Sequence, residues 1–326
     1  MYRQIVPAVL EKYNIDAVSI KPAQKGYRSE SYPVVLADHT TVNLIFFKRE
    51  NDSLERIERA DYVATIANES GLPVRTRYNN RLLRVTADSY SGIYNYLPGV
   101  TVPWEAFTMK HIKLLGVAMG NLHSALHSAA PPDFHSITDE ILPLIIRMEK
   151  YFTDPDVMQA LDTKLAVHFN ASSLSLSKKI VQHVAGLPGQ QMVHMDMVRG
   201  NVLFDTALPR DKWQIDGLAL TGVIDFEKAT YGHPLFDLAR TLAFLIVDSP
   251  KPAGKIYSYF LNSGYHKRAG QPLPHPKLLS PLIQFYLIHD FYKFLRHTPY
   301  ESLHDNYHYN RTSTVLEQYG IISLKH

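Results

Sequence analysis

The stretch HMDMVRGN at residues 194–201 leads directly into the β-branched apolar run NVLFD, and the next such run, LTGVIDF, passes through Asp225. Joined by a polar connection containing Asp211, Lys212 and Trp213, the two runs read as a β-hairpin. The open ends of a hairpin are neighbours in space. Pairing 202–204 with 222–224 therefore brings Asn201 and Asp225 together although they are far apart along the chain. A convergent amide oxygen and carboxylate oxygen are hard ligands; with water or phosphate oxygens in the remaining positions they suit Mg²⁺. Taken alone, Asp225 would read as an ordinary turn or cap residue, and the His-x-Asp-x-x-x-x-Asn ahead of it is what changes that reading.

The rest of the chain is organised around this hairpin. Residues 17–97 read as strand-rich with one helix: YPVVLA and TVNLIFF flank the turn Asp38-His39-Thr40, and VRTRY and RLLRV flank Asn79-Asn80, which reads as a second hairpin turn. Between them, NDSLERIERADYVATIANES spaces Leu54, Ile57, Tyr62 and Ile66 at helical intervals, opens on capping residues and stops at Gly71. Pro98-Gly99 interrupts the strand-like SGIYNY, and from Trp104 the pattern turns helical, with Leu114, Val117, Ala118 and Leu122 on one face. The spacing predicts an α+β chain divided into 1–97 and 98–326, the second part mostly helical with Pro-rich connections at 129–132, 249–252 and 272–276.

Composition removes several classes of function. The 326 residues carry a net charge of only +3 with no dense basic run, so no nucleic-acid footprint is expected. With no cysteine, disulfide frameworks and thiolate chemistry are excluded. No uninterrupted apolar stretch of about 18 residues and no charged leader followed by an apolar run occur, which predicts a cytoplasmic protein with no membrane partner. His123 and His127, four residues apart with no carboxylate beside them in sequence, read as a surface pair and not as a zinc site.

These motifs resemble the aminoglycoside phosphotransferase and choline kinase superfamily, the small-molecule relatives of protein kinases. Besides the H-x-D-x-x-x-x-N and I-D-F elements, NLIFFKRE resembles the strand bearing the kinase lysine, YNYLPG the interlobe hinge, GNLHSALH the helix ending in Leu-His, and GHPLFDLA the segment after the metal-binding Asp. The resemblance runs over roughly residues 20–245 in collinear order. Departures are confined to Met195 and Arg199 in the loop and to a phosphate loop, QKGYRSESYPV, with the single glycine Gly26.

The resemblance implies a bilobal protein-kinase-like fold: an N-terminal nucleotide-binding lobe, a small antiparallel sheet with one helix, at 1–97, and a catalytic and substrate-binding helical lobe at 98–326. It implies transfer of the γ-phosphate of ATP, with GTP as the alternative donor, to a hydroxyl of a small molecule in the presence of Mg²⁺. Asp196 is then the catalytic acceptor of the substrate proton, and Asn201 and Asp225 hold the metal. Lys48, paired with Glu58, binds the phosphates; Glu55 and Asp61 compete with Glu58 for that pairing. Ser29 and Ser31 approach the phosphates, and the main chain of Asn95 and Leu97 meets the adenine. His194 donates hydrogen bonds that scaffold the loop, and Asp237 anchors it from behind. The acceptor would lie on the helical lobe, between 130–185 and 245–326. The tail is tyrosine-rich and holds more basic than acidic groups, whereas a polycationic aminoglycoside calls for carboxylates, which Asp139, Glu140 or Asp154 could supply. An antibiotic, a sugar and an amino alcohol all remain open as acceptors, as does the oligomeric state. The competing class is a pseudokinase that binds nucleotide or a partner without turnover.

Overall fold

The computed structural model describes residues 2–26, 29–48, 52–86, 89–127, 129, 136–206 and 213–324. Helix α1 (Val6–Lys12) is followed by strands β1 (Ala17–Ile20), β2 (Gln24–Lys25), β3 (Ser29–Leu36) and β4 (Thr41–Lys48), helix α2 (Ser53–Glu69), and strands β5 (Arg77–Thr86) and β6 (Ser89–Asn95). The strands form one antiparallel sheet in the order β1-β3-β4-β6-β5, with β2 paired to β3.

β4 is apolar along most of its length because both of its faces are covered. Val42, Leu44 and Phe46 pack with Val34 and Ile93 against Val6, Val9 and Leu10 of α1, while Ile45 and Phe47 pack with Tyr94 against Ile57 of α2. Each of these aliphatic or aromatic side chains contributes about 1.5–3 kcal/mol by leaving water. The β4–β6 register runs without interruption from Val42↔Asn95 to Lys48↔Ser89, so the alternation of faces holds to the end of the strand.

The turn at 38–40 is as expected: His39 takes a left-handed conformation, and Asp38 Oδ1 accepts hydrogen bonds from Thr40 N and Oγ1. The expected hairpin turn at Asn79-Asn80 is not a turn. β5 runs through both residues, and the irregularity appears as a register shift against β6 between Arg77 and Leu82. The predicted helix over 51–70 is α2, closed by Gly71 at φ 81°.

The second half contains α3 (Met109–Leu126), α4 (Ile137–Phe152), α5 (Pro155–Leu165), β7 (Val167–Phe169), α6 (Ser172–Ala185), β8 (Gln191–Val193), β9 (Val202–Asp205), β10 (Gln214–Ile215), β11 (Leu218–Val223), β12 (Thr230–Gly232) and α7 (Pro234–Asp248). It continues with α8 (Ala253–Tyr257), a π-helical stretch Ser258–His266, α9 (Pro276–His297), α10 (Tyr300–Leu303), α11 (Tyr307–Gln318) and β13 (Ile322–Leu324). This is the α+β, bilobal protein-kinase-like fold. The expected central hairpin is β9–β11, paired Val202↔Val223 and Leu203↔Gly222, one residue earlier on β11 than the sequence reading placed it, with a bulge before Leu220↔Phe204. The Asp211 and Lys212 of its connection lie outside the described residues; Trp213 is buried and donates from Nε1 to the Gly71 carbonyl.

Two stitches hold the sheet to this hairpin. Val74 bridges Val223, and Val100 bridges Phe204. At the second of these Gly99 has φ 104°, and a Cβ there would stand 2.3 Å from Thr221 Oγ1 and 2.8 Å from the Phe204 carbonyl oxygen, so only glycine lets the chain pass. Among the described residues no helix is long and apolar enough to cross a membrane.

Candidate active site

The loop between β8 and β9 carries the first cluster of polar groups, and its shape is imposed from behind. Asp237, in the first turn of α7, is fully buried; its Oδ2 accepts the His194 amide at 2.8 Å and its Oδ1 the Met195 amide at 2.7 Å. A buried carboxylate is tolerable only where donors saturate it. Burial raises its pKa, but the His123 hydrogen bond and neighbouring donors outweigh that and hold it below the usual aspartate value. With Asp237 gripping two successive amides, Met195 is held at φ 62°.

His194 is also fully buried, with its ring centroid 4.4 Å from that of Phe226. Its Nδ1 accepts the Asp196 amide at 3.1 Å, where the sequence reading had the imidazole donating. Burial pushes its pKa below the ordinary histidine value, which preserves the neutral ring that this accepting role requires. His123 is not the surface residue its spacing to His127 suggested. It is 2% exposed, with Nδ1 2.9 Å from Tyr265 Oη and Nε2 3.3 Å from Asp237 Oδ2, and so forms the rear of the same assembly. Only the tertiary approach of α7 to α3 reveals this.

The loop delivers Asp196 to the front. Its carboxylate is met by Lys228 Nζ at 2.7 Å and Arg240 Nη2 at 3.4 Å, and Asn201 Nδ2 donates to its Oδ2 at 3.1 Å and to its carbonyl at 2.9 Å. Burial would raise the Asp196 pKa, but Lys228 and Arg240 outweigh it and keep the group ionised below the usual range. Arg199, whose place in the loop departs from the family pattern, donates to the Val102 carbonyl and lies 5.1 Å over the Trp104 ring, fastening the loop to the segment before α3.

Asn201 and Asp225 lie at the same end of the hairpin, one residue off the expected pairing, with Asn201 opposite Ile224. The Ile224 amide donates to the Asn201 carbonyl at 2.9 Å, closing the open end of β9–β11, and Asp225 follows at φ 65°. With Nδ2 of Asn201 committed to Asp196, its Oδ1 and the Asp225 carboxylate are the two hard donors of the pair. Among the described residues no group of three or more His, Cys, Asp or Glu could hold a metal. By its chemistry, one amide and one carboxylate oxygen, the donor pair suits a divalent cation that would draw its remaining ligands from phosphate oxygens and water.

The residues assigned to nucleotide fall out less evenly. A cavity of about 300 Å³ between sheet and hairpin is lined by Gln24, Ser31, Asn43, Arg75, Tyr96, Leu97, Leu203 and Ile224, among others. Ser31 and Leu97 thus share one cavity; Ser29 is on the same face of β3, two residues away, opposite Phe47. Asn95 is different: its amide donates to the Thr76 carbonyl, and its side chain accepts from the Thr76 amide and donates to the Val74 carbonyl. That amide is committed to holding the start of β5 and does not face a base.

Lys48 and Glu58 do not meet in the cleft. Lys48 is exposed at the end of β4 and shares the parity of Leu44 and Phe46, the face covered by α1, while the face turned toward α2 and the cavity presents Asn43, Ile45 and Phe47. Glu58 is exposed, Glu55 pairs with Arg59 at 3.3 Å, and the α2 carboxylate turned inward is Asp61, paired with Arg77.

A second cavity, about 690 Å³, opens beside Met195 between α2, α4, α7 and α9. Its walls include Asp139, Glu140, Arg147, Lys228, Arg240 and Tyr286, so both charges face it. Arg240 is set between the rings of Phe244 (5.4 Å) and Tyr286 (5.7 Å). Asp154, the third acidic candidate, caps α5 by accepting the amides of Asp156 and Val157 and takes no part.

Residues 19–270 match the model of the phosphotransferase enzyme family APH. The chain belongs to that family. A microcompartment-associated aminopropanol kinase superposes over 98% of this chain and 99% of its own with a TM-score of 0.71 and 16% identity. An amicoumacin kinase solved with AMP-PNP, Ca²⁺ and Ami superposes over 96% of each chain, with a TM-score of 0.66 and 14% identity. A curated relative, mouse hydroxylysine kinase, is 20% identical over 220 residues, a match that takes in 61% of this chain and about half, 54%, of the mouse protein.

Proposed function

We propose that this protein is a small-molecule kinase that transfers the γ-phosphate of ATP to a hydroxyl group in the presence of Mg²⁺. Residues 1–97 would bind the nucleotide, and 98–326 would supply the catalytic loop and hold the acceptor. The observation that carries the reading is Asp196: an ionised carboxylate hydrogen-bonded to Asn201 at the hairpin end and to Lys228 and Arg240, both of which line the 690 Å³ cavity.

Asp196 would orient the acceptor hydroxyl and take its proton as the oxygen bonds to γ-phosphorus and the bond to the bridging oxygen of the leaving ADP breaks. Asn201 and Asp225 would hold Mg²⁺, which supplies neutralisation of the phosphate oxygens' charge when bound. Lys228 and Arg240 stabilise the ionised base and line the adjoining 690 Å³ cavity, where their charge would favour a phosphoryl group. His194 and Asp237 keep the loop in register.

Lys228 gives the reaction a pH signature. Burial lowers its pKa below the ordinary lysine value, with Asp196 offsetting only part of the effect. Activity is therefore expected to decline on the alkaline side before the usual lysine range is reached, as the ammonium loses its proton. In Lys228→Arg, whose cation does not titrate there, the limb should move to higher pH. A pH–kcat profile with the same alkaline limb in both proteins would remove Lys228 from this role.

For the acceptor, a cavity with acidic and basic walls suits a compact molecule carrying an amine together with a hydroxyl or carboxylate better than a polycation. The hydroxylysine kinase and aminopropanol kinase relatives support that choice. In an ATP-consumption screen of amino alcohols, hydroxy amino acids, sugars, aminoglycosides and macrolides, the first two classes should respond most strongly, and a response confined to aminoglycosides or macrolides would overturn it. One observation favours the second reading, a nucleotide-binding module without turnover: Lys48 is exposed at the end of β4 and shares the parity of the face covered by α1. Absence of substrate-stimulated ATP consumption across the screen would support that reading.

A further inference from the structure

A kinase cleft needs a fixed cation at the nucleotide phosphates, because negative charge builds on them as the bond breaks. The strand expected to supply it does not. On the inner face of β4 stand Asn43, Ile45 and Phe47; Ile45 is fully buried and apolar, and Lys48 shares the parity of the α1 face.

We infer that Arg75 is the phosphate-binding cation of this protein, replacing a strand-borne lysine with an arginine delivered from the loop between α2 and β5. This rests on the nucleotide-dependent kinase reading. Arg75 lines the 300 Å³ cavity with Ser31 and Leu97, and it also lines the narrow space containing Asp225, so it spans the gap between the base-side cavity and the metal-side carboxylate. Its backbone is held in place: the Arg75 amide donates to the Val223 carbonyl at 3.2 Å, and the Val223 amide donates to the Pro73 carbonyl at 2.8 Å. Val223 lies two residues before Asp225, so the two groups share one rigid support.

The side chain is half-buried, with its guanidinium 5.7 Å over the Tyr94 ring. Its near neighbour Arg77 is neutralised by Asp61, whereas Arg75 makes no ion pair among the described residues. A partly desolvated guanidinium held outside any ion pair is suited to a phosphate, which it binds through two parallel hydrogen bonds.

The test compares affinities for ATP with Mg²⁺ and for AMP, by calorimetry, in the wild-type full chain, Arg75→Ala, Lys48→Ala and the double variant Ile45→Lys/Arg75→Ala. Losing one charge-assisted bidentate contact should weaken ATP binding about 10- to 100-fold. AMP binding should change less than about threefold, a split that loss of packing alone would not produce. Lys48→Ala should bind as wild type does. In the double variant, a lysine projecting from the inner face of β4 should recover part of the lost ATP affinity. The inference is overturned if Arg75→Ala binds ATP as wild type does, if ATP and AMP weaken alike, or if Lys48→Ala shows the loss instead. A wild-type chain that binds no nucleotide would sink the kinase reading itself, and the role of Arg75 with it.

Discussion

Asp196→Asn is expected to lower kcat by about 10³-fold or more while leaving nucleotide affinity within a few-fold of wild type. The substitution is nearly isosteric, so the loop held by Asp237 should keep its form; what disappears is the basic oxygen and its charge. An amide cannot take the hydroxyl proton, and it leaves Lys228 and Arg240 facing one another without the anion between them. That second effect also costs stability, by less than the several kcal/mol of a fully buried pair, because the Lys228 side chain is 39% exposed and can turn to water. Rates should therefore be compared well below the melting temperature of the variant. Turnover within fivefold of wild type, with the variant folded, would show that some other group takes the proton.

Much of this arrangement could be read from the chain because the features around Asp196 are local. β9 and β11 announce themselves by β-branched runs with polar groups at their ends, and a hairpin leaves little choice about which ends meet. α2 and α3 follow from helical spacing. The cations were hidden for a physical reason. With α1 on one side and α2 on the other, β4 is apolar on both faces, so it has no hydrophobic-polar alternation to say which face Lys48 shares, and a shift of one residue reverses the answer. Asn79-Asn80 carries a turn composition, yet pairing with β6 pulls it into a strand irregularity. Glu58, Glu55 and Asp61 could not be ranked without knowing how α2 is rotated. Arg75, Lys228 and His123 gain their meaning from contacts across the fold: with β11, with Asp196, and with α7.

Asp225→Asn should be as damaging, through a different step. Asp225 sits at φ 65°, in the left-handed region that asparagine tolerates better than alanine, so the Asn variant removes charge with little added backbone strain. With Asn201 it would offer Mg²⁺ two neutral oxygens and no anionic one. The apparent Mg²⁺ requirement should rise at least tenfold, and kcat at ordinary Mg²⁺ should fall by about 10³-fold or more, the loss of several kcal/mol of charge stabilisation. AMP affinity should be preserved, because the base-side cavity is lined by other residues. The two variants are separable by titration: excess Mg²⁺ should recover part of the rate in Asp225→Asn and none in Asp196→Asn. If Asp225→Asn shows an unchanged Mg²⁺ dependence and turns over within tenfold of wild type, the hairpin end does not hold the metal.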